Sequence, residues 1–339
     1  MKVLVTGGAG YIGSTVASAC IDAGITPVIL DNLSTGSADF VQDRIFYQGD
    51  VGSSRLLAQI FADHPDIEAT IHCAALASVE DSVRDPLAYY RENVAKTTTL
   101  LEALLAYGCH RLIFSSSAAI YRADGQPAIS ESAAIGATSP YGRTKVMAEQ
   151  MFADVSASSP LRVISLRYFN PIGADPRMRS GRPGGRSTHA LGLLIQAYQH
   201  GAPFKILGDR YETRDGTGLR DYVHVWDLAL GHVAALRRFD TLLPPHGEHR
   251  YEAINLGSGN GATVRELVAA FESVVGRRVR VQQVGPRAGD VPGAYARTDK
   301  ATELLGWHPT LTLPDGIRSA LEWAASEAGK HHVLVPVQN

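Results

Sequence analysis

The chain has 339 residues, of which 45% are hydrophobic and 19% charged, and its formal net charge is −2. This composition is typical of an ordered globular protein with one large domain and a smaller one, and the near-neutral charge predicts neither nucleic acid nor an anionic membrane as a partner. Three unclustered cysteines within apolar runs predict reduced core thiols in a cytoplasmic protein, with no metal site and no disulfide framework.

Short β-branched runs alternate with longer helical patterns in the first half of the chain. The predicted strands cover residues 2–7, 26–31, 45–50, 69–75, 111–117 and 162–170. The predicted helices cover about 12–23, 53–63, 89–107 and 140–157. Nearly continuous apolar strands in such an alternation predict an α/β protein with a doubly wound parallel sheet, covered by helices on both faces. Neither a signal-peptide h-region nor an apolar run of transmembrane length is recognisable.

The second half of the chain has a different texture. The stretch NPIGADPRMRSGRPGGRSTH is rich in Gly, Pro and Arg, and predicts a long loop near a ligand. Further on, the pattern predicts helices at 189–200, 263–274 and 299–306 and strands at 203–207 and 278–284. We therefore expect a large domain over 1–171 and a smaller mixed α/β domain over 172–330, with parts of 220–260, namely 220–236 and 251–259, returning to the large sheet.

A glycine-rich turn follows the first predicted strand and leads into a helix. It contains Gly8-x-Gly10-x-x-Gly13 and the overlapping spacing that starts at Gly7. Such a turn lets a pyrophosphate approach the backbone at a helix N-terminus. Asp31 ends the second predicted strand, where a carboxylate accepts hydrogen bonds from a ribose and repels a 2′-phosphate, so NAD is expected rather than NADP. The alternative is a plain glycine-rich turn with a surface aspartate.

Two further segments predict a reacting centre. The run RLIFSSSAAIY ends a strand in three serines, at the sheet edge where ligands of doubly wound proteins bind. The run SPYGRTK places Tyr141 and Lys145 one turn apart at the start of a helix. A free tyrosine has a pKa near 10, and an ammonium on the same helical face can favour its phenolate. The alternative is a surface pair that contributes only marginally to helix stability.

These motifs belong to a longer series. VTGGAGYIGS, LDNLSTG, GDV, SSSAAIY, SPYGRTK, LRYFNPIGAD, DGTGLRDYVHV and NLGSG follow one another between about residues 1 and 325. In content and order they resemble the extended short-chain dehydrogenases/reductases that act on nucleotide sugars, and within them the UDP-glucose 4-epimerase family. The resemblance implies a Rossmann-type sheet with a C-terminal substrate domain, NAD as cofactor, a UDP-sugar as substrate, and inversion at C4 through a transient 4-keto sugar.

The resemblance also assigns roles to residues. Tyr141, directly or through Ser117, removes the proton of the sugar 4-hydroxyl, while Lys145 lowers the tyrosine pKa and binds the nicotinamide ribose. The implied cofactor-binding residues are Gly7, Gly10, Tyr11, Ile12, Gly13, Asp31, Asn32, Asp50, Val51, Ala74, Ala75, Asn93, Ser115, Tyr141, Lys145 and Phe169. The implied substrate-binding residues are Ser117, Tyr141, Asn170, His189, Lys205, Ile206, Leu207, Arg220, Arg287, Asp290 and Ala294.

The family pattern further separates the substrate contacts. The guanidinium groups of Arg220 and Arg287 suit the diphosphate, Asp290 suits the uridine ribose, and the backbone of 205–207 suits the uracil. Ala294 falls beside the sugar C2 substituent, where relatives restricted to glucose and galactose tend to carry tyrosine. Its methyl group leaves room for an acetamide, so we expect some activity on UDP-N-acetylglucosamine.

Departures from the family pattern and competing functions remain. Ala77, Cys73, Arg122 and Lys96 differ from the usual residues, and Ala77 is assigned no binding role. A 4,6-dehydratase or decarboxylase on the same scaffold needs an acid beside the serine, where this chain has two alanines (118–119). A catalytically silent NAD-binding regulator would need none of Ser117, Tyr141 and Lys145.

Helices 89–107 and 140–157, apolar on more than one face, predict a homodimer.

Overall fold

A computed structural model describes residues 1–122, 125–183, 189–286 and 292–326. The strands are β1 (Lys2–Thr6), β2 (Thr26–Asp31), β3 (Ile45–Gln48), β4 (Ile67–His72), β5 (Arg111–Ser117), β6 (Ala128–Ile129), β7 (Arg162–Tyr168), β8 (Asn170–Ile172), β9 (Phe204–Leu207), β10 (Leu219–His224), β11 (Tyr251–Leu256), β12 (Gly261–Thr263), β13 (Val281–Val284) and β14 (Tyr295–Ala296). The α-helices are α1 (Tyr11–Asp22), α2 (Ser54–Asp63), α3 (Val79–Arg84), α4 (Pro86–Tyr90), α5 (Lys96–Ala106), α6 (Pro140–Ser158), α7 (Ala190–Gln199), α8 (Val225–Leu242), α9 (Val264–Val275), α10 (Asp299–Leu305) and α11 (Leu313–Ala325).

A seven-stranded parallel sheet forms the centre of the fold, in the order β11-β7-β5-β4-β1-β2-β3. The chain builds β1, β2 and β3 in one direction and then returns to place β4 on the other side of β1. This reversal creates a crevice at the carboxyl ends of β1 and β4, which is the usual ligand position in such sheets. The predicted doubly wound α/β fold is confirmed.

Side chains alternate between the two faces of this sheet, and both faces are buried. Val3 and Val5 of β1 belong to a core that includes residues of α1 and α8. Leu4 points the other way, into a core that includes residues of α2, α5 and α6. Because both faces are covered, the strands consist almost entirely of apolar residues, as the sequence pattern suggested.

Two predicted segments differ from the structure. The helix expected over 89–107 is three pieces, because a π-helical segment, Arg91–Ala95, separates α4 from α5. The stretch 220–236 does not enter the large sheet. It contains most of β10 and the first part of α8, and β10 pairs with β8 and β12. The strand β11, from 251–259, does lie at the edge of the large sheet. The division of the chain into domains stays a prediction.

The C-terminal half adds smaller sheets beside the carboxyl edge of the large one. These are the three-stranded sheet β12-β10-β8, the pair β13-β9 and the pair β14-β6. Helices α7, α9 and α11 share one apolar core with β9 and β10. The helices α3, α8 and α11 were not predicted from the sequence. Among the described helices, none is long and apolar enough to cross a bilayer.

Candidate active site

The glycine-rich turn brings three backbone segments into contact. Gly7 has φ +70°, and a Cβ there would lie 2.6 Å from the backbone nitrogen of Ala74, at the end of β4. A Cβ on Gly13, in the first turn of α1, would lie 2.2 Å from the carbonyl oxygen of Gly7. The N-cap of α1 is Gly10, so no side chain covers the start of the helix. The turn is therefore an open cradle of backbone amides that fits a dinucleotide pyrophosphate.

Asp31 lies at the predicted ribose position, and it also braces this turn. Its carboxylate accepts hydrogen bonds from the backbone N–H of Ala9 at 2.9 Å and of Leu33 at 2.8 Å. Burial raises the pKa of the Asp31 carboxyl, although hydrogen bonds from the backbone oppose that rise. Each carboxylate oxygen can accept a second hydrogen bond, so the geometry fits the ribose contact that the sequence predicts.

The predicted cofactor-binding residue Asp50 is held by an unusual neighbour. Lys96 Nζ lies 2.5 Å from Asp50 Oδ2 and 2.6 Å from Glu92 Oε2. Burial tends to raise the pKa of Asp50, but the Lys96 ammonium and a backbone N–H hold it below its ordinary value. The lysine that departs from the family pattern thus fixes Asp50 as a carboxylate at the edge of the sheet.

Asn93 and Thr144 connect the loop after β4 to α6. The Asn93 amide accepts a hydrogen bond from the backbone N–H of Leu76 at 2.8 Å and donates to the Leu76 carbonyl at 2.9 Å. It also donates to Thr144 Oγ1 at 3.1 Å. The structure therefore gives Asn93 a bracing role at the predicted cofactor site. The other predicted cofactor residues lie in α1 or follow the carboxyl ends of strands of the large sheet, namely Ile12 in α1, Asn32 after β2, Val51 after β3, Ala75 after β4 and Phe169 after β7.

The serine and the tyrosine of the predicted trio meet at the carboxyl edge of the sheet. Ser117 ends β5, and Ser139 caps α6 by accepting from the backbone N–H of Gly142 at 3.1 Å. Helix α6 then packs closely on the turn after β5, since a Cβ on Gly142 would lie 2.5 Å from the Ala119 carbonyl oxygen. This approach brings the Tyr141 phenol near the Ser117 hydroxyl, close enough for that hydroxyl to lower the pKa of the phenol.

Lys145 is buried beneath the tyrosine. Its Nζ donates to the Ser115 carbonyl at 2.7 Å, and lies 4.5 Å from the centroid of the Phe114 ring and 5.9 Å from that of Tyr141. Burial lowers the pKa of Lys145 to about 8, against the opposing influence of Cys73 and Glu149.

The electrostatic prediction for Tyr141 is wrong for the protein alone. We expected Lys145 to lower the pKa of the phenol. Instead burial raises that pKa. The nearby Ser117 hydroxyl lowers the pKa only in part, and the nearby Tyr89 raises it further. The physical reason is that the tyrosine loses more hydration than its neighbours restore. The phenolate therefore needs positive charge beyond that of the lysine.

A buried polar network supports the trio from the side of β7. Ser116 Oγ donates to Glu149 Oε1 at 2.5 Å, and Glu149 forms an ion pair of 2.6 Å with Arg167. Arg167 also donates to Tyr121 Oη at 3.0 Å, and Tyr121 donates to Asn255 Oδ1 at 2.6 Å. Glu149 lies one turn beyond Lys145 on α6, so the network anchors the helix that carries the reacting groups. Neither residue of this ion pair was predicted from the sequence as part of the site.

A cavity of about 760 Å³ lies between the glycine-rich turn and the C-terminal domain. The predicted site residues that line it are Tyr11, Asn170, His189, Lys205, Leu207 and Arg220. Ser117, Tyr141 and Lys145 are not among the described residues that line it. Ser78 connects the two regions, because it lines the cavity and lies near Tyr89, whose ring centroid lies 6.5 Å from that of Tyr141.

The remaining predicted substrate residues are placed as follows. Ile206 is 2% exposed and its side chain belongs to the core, so only its backbone is free to contribute to binding. Ala294 packs beside Ile120 and Tyr121, three and four residues after Ser117. Arg220 donates to the Leu219 carbonyl at 2.7 Å. Two predicted contacts, Arg287 and Asp290, lie outside the described residues.

Two further cavity features concern charge. Burial, together with the nearby Arg182 guanidinium, lowers the pKa of His189 to about 4, so the imidazole is neutral at pH 7. Arg182 itself lines the cavity but was not predicted as a site residue. The only sequence signal for it was its position in the arginine-rich loop after β8, which we expected to lie near a ligand.

Sheet, glycine cradle and serine–tyrosine–lysine edge together define a dinucleotide-binding enzyme of the short-chain dehydrogenase/reductase type. Residues 3–257 match the NAD dependent epimerase/dehydratase family, and the chain belongs to that family.

Individual relatives are similar to the chain in both sequence and structure. The chain is 43% identical to UDP-glucose 4-epimerase of Azospirillum brasilense over 332 residues, which cover 96% of this chain and 92% of that protein. It is similar to the crystal structure of UDP-glucose-4-epimerase from Stenotrophomonas maltophila with bound NAD and formylated UDP-arabinopyranose, with a TM-score of 0.90, 36% identity, and 95% and 97% of the two chains covered. The UDP-Glc/GlcNAc 4-epimerase of Campylobacter jejuni aligns with a TM-score of 0.81 and 33% identity over 95% of this chain and 98% of that one.

Proposed function

We propose that the protein is an NAD-dependent isomerase that interconverts UDP-glucose and UDP-galactose by inverting C4 of the sugar. The observation that carries the proposal is the close packing of α6, which bears Tyr141 and Lys145, on the turn that follows Ser117 at the sheet edge. Family membership and relatives named UDP-glucose 4-epimerase support the same reaction.

The proposed roles follow from the geometry. Tyr141 removes the proton of the sugar 4-hydroxyl, directly or through the Ser117 hydroxyl, and later returns it. Lys145 holds the nicotinamide ribose and adds positive potential near the phenol. NAD, when bound, supplies the acceptor and donor of the C4 hydride and a positive ring charge that favours the phenolate. The raised pKa of Tyr141 in the protein alone makes that charge a requirement of the proposal.

The cavity supplies the proposed sugar-nucleotide site. Arg220 suits the diphosphate, Asn170 suits a sugar or phosphate oxygen, and the backbone of β9 suits the uracil. His189, neutral at pH 7, is proposed as a hydrogen-bonding partner rather than a charged one. Arg287 and Asp290 are proposed contacts from the sequence resemblance alone.

The reaction is tested by incubating the purified protein with UDP-galactose and no added NAD, with UDP-glucose formation followed by a coupled dehydrogenase. Formation of UDP-glucose until equilibrium is expected. A 4-keto-6-deoxy product would instead favour a dehydratase, which the alanines at 118–119 disfavour because they cannot transfer protons. Binding of NAD without any turnover would favour a silent NAD-binding regulator.

Sugar selectivity is proposed to extend to N-acetylated substrates. Ala294 lies beside the segment that follows the catalytic serine, and its methyl group leaves space for an acetamide. The similarity to the UDP-Glc/GlcNAc 4-epimerase supports this proposal. Turnover of UDP-N-acetylglucosamine by the wild type, and its loss in Ala294→Tyr with UDP-galactose turnover kept, are expected. Failure of the wild type to turn over the N-acetylated sugar would contradict the proposal.

We also propose a homodimer in the cytoplasm. Val83, Leu87 and Met147 are 65%, 71% and 46% exposed on α3, α4 and α6, and such exposed apolar side chains on adjacent helices favour a subunit contact. A light-scattering mass near twice the chain's 36.3 kDa is expected, and a monomer mass would contradict the dimer. Cell fractionation tests the location.

A further inference from the structure

Arg182 belongs to the loop that follows β8 and crosses the N-terminal part of α1. Ser180 of this loop lies 3.1 Å from Thr15 Oγ1, hydroxyl to hydroxyl, and the Arg182 carbonyl accepts a hydrogen bond of 2.8 Å from Trp323 Nε1. A Cβ on the neighbouring Gly181 would lie 2.4 Å from the Trp323 ring. The backbone at Arg182 is thus fixed between α1 and α11, so the position of its side chain is set by the fold.

The three described arginines of this loop differ in their partners. Arg177 forms an ion pair with Asp22, and Arg179 forms ion pairs with both Asp22 and Asp175. Arg182 has no carboxylate partner among the described residues. Its guanidinium carbon lies instead 4.9 Å from the centroid of the Tyr11 ring. Burial lowers the pKa of Arg182, the direction expected for a cation that lacks an anion.

The guanidinium of Arg182 lies where a cation can bind an anionic ligand. It lines the cavity together with Tyr11, the first residue of α1, and with Arg220 of the proposed sugar-nucleotide site. The Tyr11 hydroxyl donates to the Gly173 carbonyl at 2.7 Å, which orients the ring under the guanidinium. The fork of the guanidinium therefore lies between the glycine cradle and the substrate cavity, where each proposed ligand brings a diphosphate.

We propose that Arg182 binds a diphosphate group in this cavity, as an anion contact beyond those the sequence predicted. The inference rests on the proposed function, because that function supplies the two diphosphates, one in the dinucleotide and one in the sugar nucleotide. The aromatic ring of Tyr11 holds the cation in place while the cavity is empty of anions, and a phosphate oxygen then satisfies its N–H donors.

The test uses Arg182→Gln and Arg182→Lys, with Arg177→Gln as the matched control from the same loop, since that side chain is 69% exposed. Binding of UDP and of uridine, and of NAD and of adenosine, is measured by calorimetry. We expect Arg182→Gln to weaken UDP, NAD or both by about tenfold or more, the size of a lost hydrogen bond to a charged group, with the nucleosides unaffected. Arg182→Lys should recover part of that loss.

The four binding measurements distinguish which diphosphate Arg182 contacts. A loss confined to UDP assigns the contact to the sugar nucleotide, and a loss confined to NAD assigns it to the dinucleotide. Unchanged affinities for both diphosphates in Arg182→Gln would overturn the inference, and so would an equal loss for the nucleosides, which would mean a structural role only. If the wild type binds neither UDP nor NAD, the proposed function itself fails.

Discussion

Replacement of Lys145 by methionine should make the protein more stable and inactive. The Lys145 side chain is 3% exposed, and its ammonium has a carbonyl and an aromatic ring as close neighbours. The fall of its pKa from 10.5 to about 8 corresponds to about 3 kcal/mol of unfavourable free energy for the charged group. The substitution also removes the hydrogen bond to the Ser115 carbonyl, which costs about 1 kcal/mol. The free energy of unfolding of Lys145→Met should therefore be about 2 kcal/mol higher than that of the wild type at pH 7.

The same shift of the Lys145 pKa also predicts how the stability difference changes with pH. The folded-state pKa is depressed, so the unfavourable contribution is complete below pH 8 and is lost as the pH rises from about 8 to 10.5. The advantage of Lys145→Met over the wild type should therefore shrink by about 1 kcal/mol between pH 7 and pH 9.

The measurement is urea unfolding of both proteins after removal of nucleotide, at the two pH values, beside an epimerase assay. Lys2→Met is the control, because Lys2 forms an ion pair with Asp66, whose side chain is 64% exposed. Loss of this ion pair should change the free energy of unfolding by less than about 1 kcal/mol and should not change the activity. A clearly less stable Lys145→Met, or a gap that does not change with pH, would refute the reasoning.

Two further changes test the cradle and the polar network. Gly13→Ala brings a Cβ to 2.2 Å from the backbone oxygen of Gly7, so the purified variant should carry much less bound NAD, measured by absorbance. Gly285→Ala is the control, because its Cβ would have no atom within 4 Å, and it should carry the normal amount of NAD. Arg167→Met leaves the Glu149 carboxylate buried without its cation and should cost about 3–5 kcal/mol in urea unfolding. Adding Glu149→Gln should recover much of that loss; a single variant as stable as the wild type contradicts the account.

The sequence predicted those parts of the site that depend on short-range geometry. The glycine spacing works because the turn, the end of β1 and the start of α1 are contiguous, and Asp31 ends the strand next to β1. The Tyr141–Lys145 pair lies on one helical turn, so its proximity was also readable. The doubly wound sheet followed from continuous apolar strands that alternate with helices.

Features that depend on distant neighbours were missed or misjudged. The pKa of Tyr141 depends on how much water the fold removes from it, which no spacing rule contains. The ion pair between Glu149 and Arg167 joins α6 to β7, which are separate elements of the chain. Arg182 is proposed as an anion contact because it has no carboxylate partner among the described residues, and the sequence does not reveal which residues surround it. The helix expected over 89–107 is interrupted because Arg91–Ala95 adopts π geometry, for which the apolar pattern gave no signal.

The central claim is that the Tyr141 phenol exchanges a proton with the sugar 4-hydroxyl. It is tested most directly by the initial rate of UDP-galactose conversion in Tyr141→Phe, with bound NAD and circular dichroism matched to the wild type. The control is Tyr107→Phe, whose tyrosine is 50% exposed. We predict a fall of about 100-fold or more for Tyr141→Phe and none for the control. Conversion at the wild-type rate by Tyr141→Phe would contradict the account.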